Sequence, residues 1–350
     1  MLPTGTPRTQ PAAPSRPLPF GRLRILLVVN AFASSVTARN TVVVRRVLSQ
    51  GNQVEMVETN RRGHATRFAQ DAARRGVDVV IGFGGDGTLN EVANGIAGTD
   101  TALGVLPGGS TNVFARTLGL PNDPSAAVRQ LAAGIASGNV ERVGLGTVNG
   151  RYFCFHTGIG YDAAVVRQVE RRGSMKRWFG HPLFIEAALS TWLRDYDRRS
   201  PHFRVSDGLG EAGADAVDGY FTIVLNTNPY TYLGNRPLDL SPDAALDRGL
   251  VVITFRTMTA WAILRGLGGA LRGGGVTASK HLDVRTDVTA LTVSALPAPG
   301  GRGVRPFPYQ VDGDDLGDAS RLRFEHHPDV IRLVRPAVWH PLNPSWNHEP

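Results

Sequence analysis

Gly82-Phe83-Gly84-Gly85-Asp86-Gly87-Thr88-Leu89-Asn90-Glu91-Val92-Ala93-Asn94-Gly95-Ile96 follows directly on the largely apolar run Val77 to Ile81. A short apolar run of this kind reads as a parallel strand buried on both faces. The glycines at 84, 85 and 87 let the backbone turn tightly and approach a ligand without a Cβ in the way. Thr88 and Glu91 stand at capping-box spacing, which predicts a helix starting there. Strand, glycine turn and helix N-terminus together present backbone N–H groups and the positive end of a dipole, an arrangement suited to phosphate. Asp86 places a carboxylate inside that anion site, so a cation belongs beside it: Mg²⁺, or a nucleotide that carries it.

Gly-Asp-Gly clusters are also ordinary turn chemistry, and it is the combination of three glycines, one acid and a capping box after a strand that favours phosphate. A Walker A loop is excluded, because Gly-x-x-x-x-Gly-Lys-Ser/Thr does not occur. Gly82, Gly84 and Gly87 fit Gly-x-Gly-x-x-Gly, yet no acid sits at the later strand end that a dinucleotide fold requires, and Asp100 lies too close.

Working outward, Arg24 to Asn30 reads as a first strand, with a helical stretch through Leu48, a strand at Gln53 to Glu58, a loop at Thr59 to His64 and a helix at Ala65 to Arg75. Leu103 to Leu106 is another short buried strand, and helices at Asn112 to Leu118 and Pro124 to Ser137 close this half. Alternating strands and helices imply a doubly wound parallel sheet. Ligands bind such sheets at the carboxyl ends of the strands, where Asn30, Thr59, Asp86 and Ser110 fall. After about residue 138 the pattern turns all-β, with short strands at 140–148, 151–157, 202–206, 219–226, 250–255, 281–286, 290–295, 309–312, 321–325 and 330–334, separated by Gly-, Asp- and Asn-rich turns. Two helical stretches interrupt it, Asp162 to Asp195 and Thr259 to Leu271. The domains expected are a disordered leader (1–20), an α/β nucleotide domain (21–138), an all-β domain (139–335) and an irregular tail (336–350).

The 350 residues are 42% hydrophobic, enough for two cores. The single cysteine, Cys154, rules out an internal disulfide, fits a reducing cytosol and reads as a small buried hydrophobe. No apolar run reaches the roughly 20 residues of a bilayer-spanning helix. The net charge is +8, and of 38 basic residues only Lys176 and Lys280 are lysines. That skew reads as codon bias; with no RNA- or DNA-binding motif beside it, nucleic acid is not an expected partner. A basic surface favours anionic headgroups and nucleotides. Arg167, Arg171, Arg172, Lys176 and Arg177 lead into Trp178 and Phe179, either a basic face for an anionic membrane or a solvated helix face. His326 and His327 lack partners at ligand spacing and read as surface residues.

Gly-Gly-Asp-Gly-Thr at 84–88, followed by Pro107-Gly108-Gly109-Ser110-Thr111-Asn112, resembles the bacterial diacylglycerol kinase and lipid kinase family, relatives of the sphingosine kinases. Later stations fall in family order: Gly158-Ile159-Gly160-Tyr161-Asp162, then Asn226 with Gly234 and Pro242, then Val311-Asp312-Gly313-Asp314. The resemblance runs from about residue 22 to 335 and implies a β-sandwich second domain, with the active site in the cleft between the two. It implies an ATP-dependent lipid kinase acting on a hydroxyl of diacylglycerol or a related lipid. The cofactors would be ATP and Mg²⁺, with Asp86 toward the metal. Asn30, Thr59, Gly84, Gly85, Asp86, Gly87, Thr88, Asn90, Gly109, Ser110 and Asn112 would line the nucleotide site. Asp312 matches the family's base station directly and Asp314 replaces its glutamate, although Asp-Gly is equally a favoured hairpin turn. The implied setting is cytoplasmic, peripheral at the inner membrane face where the lipid lies, with a homodimer left open.

The chain departs from the family pattern at several positions. Ala31 follows Asn30 in place of proline, Ser110 replaces threonine, and Val113 and Arg248 stand where relatives carry aspartate. A guanidinium cannot ligate Mg²⁺, so the accessory metal site around Arg248 is expected to be absent. The competing readings are an NAD kinase-like enzyme, which shares Gly-Gly-Asp-Gly-Thr alone, and a catalytically silent nucleotide- or lipid-binding relative.

Overall fold

The computed structural model describes residues 18–19, 21–171, 186–208, 215–298, 301 and 303–337. Nearly all of the expected leader and tail, and residues 172–185 of the helical stretch expected from Asp162 to Asp195, lie outside the described residues. Leu18 is buried in the first core.

The first half alternates as read: β1 (Arg24–Asn30), α1 (Ala38–Leu48), β2 (Gln53–Thr59), α2 (His64–Arg74), β3 (Val79–Gly84), α3 (Asp86–Ile96), β4 (Ala102–Pro107), α4 (Val113–Thr117) and α5 (Pro124–Ala136). The four strands are parallel in the order β2-β1-β3-β4. Every residue of β3 and β4 is buried, as continuous apolar runs between two helix layers require. α1 packs with α5, and α2 with α3. Local chemistry fixes the helix starts: Thr37 accepts from Asn40 N and Asp123 from Ala126 N, with Pro124 opening α5. The sheet reverses its winding between β1 and β3, and the carboxyl ends of these two strands open the crevice that such folds use for ligands.

The second half contains β5 (Val140–Val148), β6 (Arg151–Phe153), β7 (His156–Gly160), α6 (Tyr161–Arg171), β8 (Phe203–Asp207), β9 (Val217–Gly219), β10 (Phe221–Leu225), β11 (Thr231–Leu233), β12 (Arg236–Leu238), β13 (Leu250–Phe255), α7 (Ala260–Leu271), β14 (Leu282–Val288), β15 (Ala290–Ala295), β16 (Phe307–Val311), β17 (Asp314–Ala319) and β18 (Arg321–Val334). One antiparallel sheet has the order β14-β13-β10-β7-β16-β17. It packs on a second layer containing β5, β8, β15 and β18, and Phe153, Phe203, Val224, Val252, Val293, Phe307 and Phe324 fill the core between the layers.

The strands expected separately at 321–325 and 330–334 form the single strand β18, with a register shift between His327 and Ile331. Its first half pairs with β15, and its last residues run parallel to β4, Arg332 opposite Ala102. One sheet therefore passes through both halves of the chain, and the boundary drawn at residue 138 is bridged by a strand from the far end of the sequence.

The glycine turns after β3 and β4 touch backbone to backbone. A Cβ on Gly108 would lie 2.7 Å from Gly84 Cα, and one on Gly109 would lie 2.9 Å from Gly85 Cα. Gly108 N donates to Gly84 O at 2.8 Å, and Ser35 N donates to Gly108 O at 2.8 Å. Gly108→Ala should therefore force the turns apart and lower stability by about 1–3 kcal/mol, read as a drop in melting temperature; an unchanged melt would mean the turns separate freely.

Candidate functional site

α3 starts at Asp86, with Gly85 as its cap residue, two residues earlier than the capping-box reading placed it. Thr88 is thus inside the first turn, 8% exposed, and its hydroxyl accepts from Asn30 Nδ2 at 3.1 Å. That bond spans the crevice between the ends of β1 and β3. The expected capping box does not form, because Glu91 caps a different helix. Its carboxylate accepts from Gly63 N at 2.7 Å and Ala65 N at 3.0 Å, at the start of α2.

The candidate nucleotide residues divide by what they touch. Asn30, Thr59, Gly84, Gly85, Gly87, Thr88, Gly109 and Ser110 sit at the carboxyl ends of the parallel strands or in the turns that leave them. Asn30 Oδ1 also accepts from Phe32 N, and Ser110 is exposed. Asn112 serves its own turn: its side chain accepts from Gly109 N at 2.7 Å and donates to Gly109 O at 2.8 Å. Asn90 faces the second half of the chain. Its Nδ2 donates to Tyr152 O and to Asp312 Oδ2, both at 2.8 Å, and its Oδ1 accepts from Arg151 at 2.9 Å.

Asp86 was expected to point toward the metal. Both of its oxygens accept backbone N–H groups at 3.0 Å, from Val113 and Phe114. The carboxylate caps α4 and ties the turns after β3 and β4 together. This also accounts for Val113, which contributes its N–H to Asp86 while its side chain is buried. No group of three or more His, Cys, Asp or Glu able to hold a metal occurs among the described residues. Arg248 forms an exposed pair with Asp243 at 3.5 Å.

The two acids of the late station separate sharply. Asp312 (φ 48) and Gly313 (φ 83) form the two-residue turn between β16 and β17, the left-handed pair that Asp-Gly favours. Asp312 is 5% exposed. Its oxygens accept from Cys154 N at 2.7 Å, Phe155 N at 3.0 Å, His156 N at 3.2 Å and Asn90 Nδ2 at 2.8 Å. Burial pushes its carboxyl up to about 6, although these hydrogen bonds oppose the rise. With four donors on its oxygens, the Asp312 carboxylate clamps the seam between the two halves.

Asp314 is at the cleft mouth, its side chain 30% exposed. A Cβ on Gly87 would lie 3.2 Å from Asp314 Oδ2, so this carboxylate, carried by the second half, rests on the first turn of α3. Arg62 approaches it at 3.7 Å. The cleft here measures about 240 Å³, and Arg62, Asn94, Arg151, Asp314 and Leu316 are among its walls.

Several functional positions escaped the sequence reading. Asn94 donates to Tyr152 O and accepts from Tyr152 N, each at 2.9 Å; its spacing four residues after Asn90, on the same face of the helix, was the available signal. Arg62 and Arg151 carried none. At the Gly158 to Asp162 station, the Asp162 carboxylate lies directly over Gly158, where any Cβ would collide with it. Asp162 accepts from Gln310 Nε2 at 2.8 Å and from the Tyr230 hydroxyl, and burial raises its carboxyl above the usual range. His326 is not a surface residue: its ring covers Gly144, with Nε2 buried and without a hydrogen-bond partner. His327 meets the Thr147 hydroxyl at 3.2 Å. Arg167, assigned to a basic face, is held by Asp315 and Asp318 at 2.9 and 2.8 Å; Arg172 to Phe179 lie outside the described residues.

Comparison with known proteins agrees with this geometry. Residues 24–162 match the diacylglycerol kinase catalytic domain. The diacylglycerol kinase of Bacillus subtilis strain 168 is 40% identical over 113 residues, which cover 32% of this chain and 36% of that relative. A Pseudomonas aeruginosa protein named "Probable lipid kinase YegS-like" is 27% identical over 317 residues, 90% of this chain and 95% of its own. A crystal structure of a diacylglycerol kinase from Bacillus anthracis str. Sterne superposes with a TM-score of 0.62 at 19% identity, covering 92% of this chain and 97% of that one. At that identity the likeness is one of fold. The matched catalytic-domain model spans residues 24–162, the first half of the chain and the opening strands of the second.

The Asp312 clamp has a pH signature. Folding raises this carboxyl from 3.8 to about 6, so its contribution to stability is complete below about pH 4 and is lost as pH rises through 6. Holding it charged in the folded protein at pH 7 costs on the order of 3 kcal/mol. Asp312→Asn turns an amide N–H₂ against backbone donors and should destabilise the protein by about 1–3 kcal/mol. In urea denaturation between pH 4 and 7, the stability difference between wild type and variant should shrink as pH rises. A difference that does not change with pH would show that Asp312 titrates as in an unfolded chain.

Proposed function

We propose that this protein is an ATP-dependent lipid kinase that transfers the γ-phosphate to a hydroxyl of diacylglycerol or a related lipid. The observation that carries this reading is the meeting of two features at one point. Glycine turns and the N-terminus of α3 open at the sheet's switch point, where a phosphate chain would find backbone N–H groups and the helix dipole. Over the same helix turn, the second half of the chain holds one partly exposed carboxylate, that of Asp314.

Phosphoryl transfer needs phosphates positioned, their charge neutralised and an acceptor hydroxyl deprotonated. The turns at Gly84–Thr88 and Gly108–Ser110 would position the nucleotide, held rigid by Asp86 and by the Asn30–Thr88 bond. Magnesium, when bound on the nucleotide's phosphates, would supply neutralising charge. Asp314 would accept the lipid hydroxyl's proton as its oxygen bonds to the γ-phosphorus and the bond to the ADP leaving group breaks. Arg62 and Arg151 line the cleft where the anionic product would form. The shorter reach of aspartate relative to the family's glutamate is met by the hairpin itself, which brings the Asp314 carboxylate against Gly87.

Labelled ATP offered with a panel of lipid acceptors, and with NAD, tests the reading: a lipid product is expected, and labelling of NAD alone or of nothing would sink it. Asp314→Asn should lower turnover by about 10²–10⁴, leaving ATP affinity and melting temperature near wild type, while Asp314→Glu should retain activity. If Asp314→Asn stayed active while a folded Asp312→Asn lost turnover, the base would be Asp312.

A further inference from the structure

α7 (Ala260–Leu271) is an apolar helix with its apolar side turned outward. Trp261 is 61% exposed, Leu264 65% and Leu271 46%. With Gly268, these positions recur at spacings of three and four, which puts them on one stripe. The inward side is made by the small residues Ala262, Gly266 and Ala270. Between Asp247 and Asp283 the sequence contains no acidic residue and five basic ones: Arg248, Arg256, Arg265, Arg272 and Lys280. Arg248 is paired with Asp243, whereas among the described residues no carboxylate pairs with the other four. Asp239, whose N–H donates to Ala270 O, turns its carboxylate to Asn228 Nδ2 at 3.1 Å.

We propose that α7 seats in the plane of an anionic lipid bilayer, with Trp261, Leu264 and Leu271 entering the headgroup–acyl boundary and Arg256, Arg265, Arg272 and Lys280 meeting the headgroup phosphates. A helix of 12 residues is about 18 Å long, too short to span and suited to lying flat. Tryptophan prefers that interface, its ring in the apolar layer and its N–H toward water. A second copy of the chain is a poor occupant: a two-fold contact would set this face against itself, bringing Arg265 and Arg272 against their own copies. Two structural links tie the surface to the cleft. α7 packs on β12, and the β11–β12 hairpin meets α4 through Arg116, which donates to Gly234 O at 3.1 Å and lies 3.6 Å over the Tyr232 ring. The helical segment at 186–195 is joined to the start of α7 by Trp192 Nε1 donating to Met258 O at 3.3 Å. It carries two further exposed leucines, Leu189 and Leu193.

The inference stands apart from phosphoryl transfer and is tested without nucleotide, so an inactive protein can satisfy it and an active kinase can fail it. Co-sedimentation with phosphatidylglycerol–phosphatidylcholine vesicles should be strong, weaken with salt, and exceed binding to phosphatidylcholine alone. The double variant Trp261→Ser/Leu264→Ser should lower partitioning at least tenfold at an unchanged melting temperature. Arg265→Ala/Arg272→Ala should flatten the salt dependence. Trp261→Phe preserves the apolar stripe, so it should still bind while losing most of the fluorescence quenching that brominated lipid produces; this readout decides the matter even if the serine variant does not fold. Equal binding to neutral and anionic vesicles, no binding at all, quenching that survives in Trp261→Phe, or a wild-type dimer that the serine variant dissociates in sedimentation would each overturn the proposal.

Discussion

A carboxylate buried at the seam between the two halves, that of Asp312, has to be met by donors or the interior could not hold its charge. The chain meets it with three consecutive backbone N–H groups, Cys154 to His156, and with Asn90 from α3. These donors converge only when the turn after β16, the link between β6 and β7, and α3 are all in place. The clamp therefore fixes the second half against α3, the helix that starts at the glycine turn after β3. It also fixes Asp314, two residues further along the same hairpin, over Gly87.

α3 consequently has two tasks on different faces. Its first turn is pressed by glycine contacts and by the Asn30–Thr88 bond into the crevice. Its flank carries Asn90 and Asn94, whose amides bind the backbone of Tyr152. A displacement of the second half is thus felt directly at the glycine turn. β18 reinforces the coupling, because it pairs with β15 in one layer and with β4 in the parallel sheet. Cleft geometry in this protein is a property of both halves together.

Much was legible in the sequence for a simple reason: buried parallel strands are continuous apolar runs, and turns at strand ends need glycine. The four strands of the first half and the turn at Gly84 and Gly85 follow from that. Thr88 and Glu91 misled because their spacing fits a local cap equally well. The choice between capping α3 and capping α2 depends on where α2 lies, which no local pattern encodes. His326 and His327 misled in the same way: no ligand spacing pointed inward, yet β18 carries His326 over Gly144.

The sequence by itself determined the fold class, the glycine turn after β3 and the Asp-Gly hairpin, since each rests on backbone conformation and burial over a few neighbouring residues. It determined the candidate acids as a pair, Asp312 and Asp314. Only the tertiary structure gives them different surroundings. Burial and donor count separate two aspartates that are chemically identical in sequence: one is enclosed by groups more than 150 residues distant, the other is left at the cleft. The same holds for Asp86, whose neighbours Val113 and Phe114 become its partners only when the turns after β3 and β4 fold together. Long-range contact, which local pattern cannot carry, assigns each carboxylate its work.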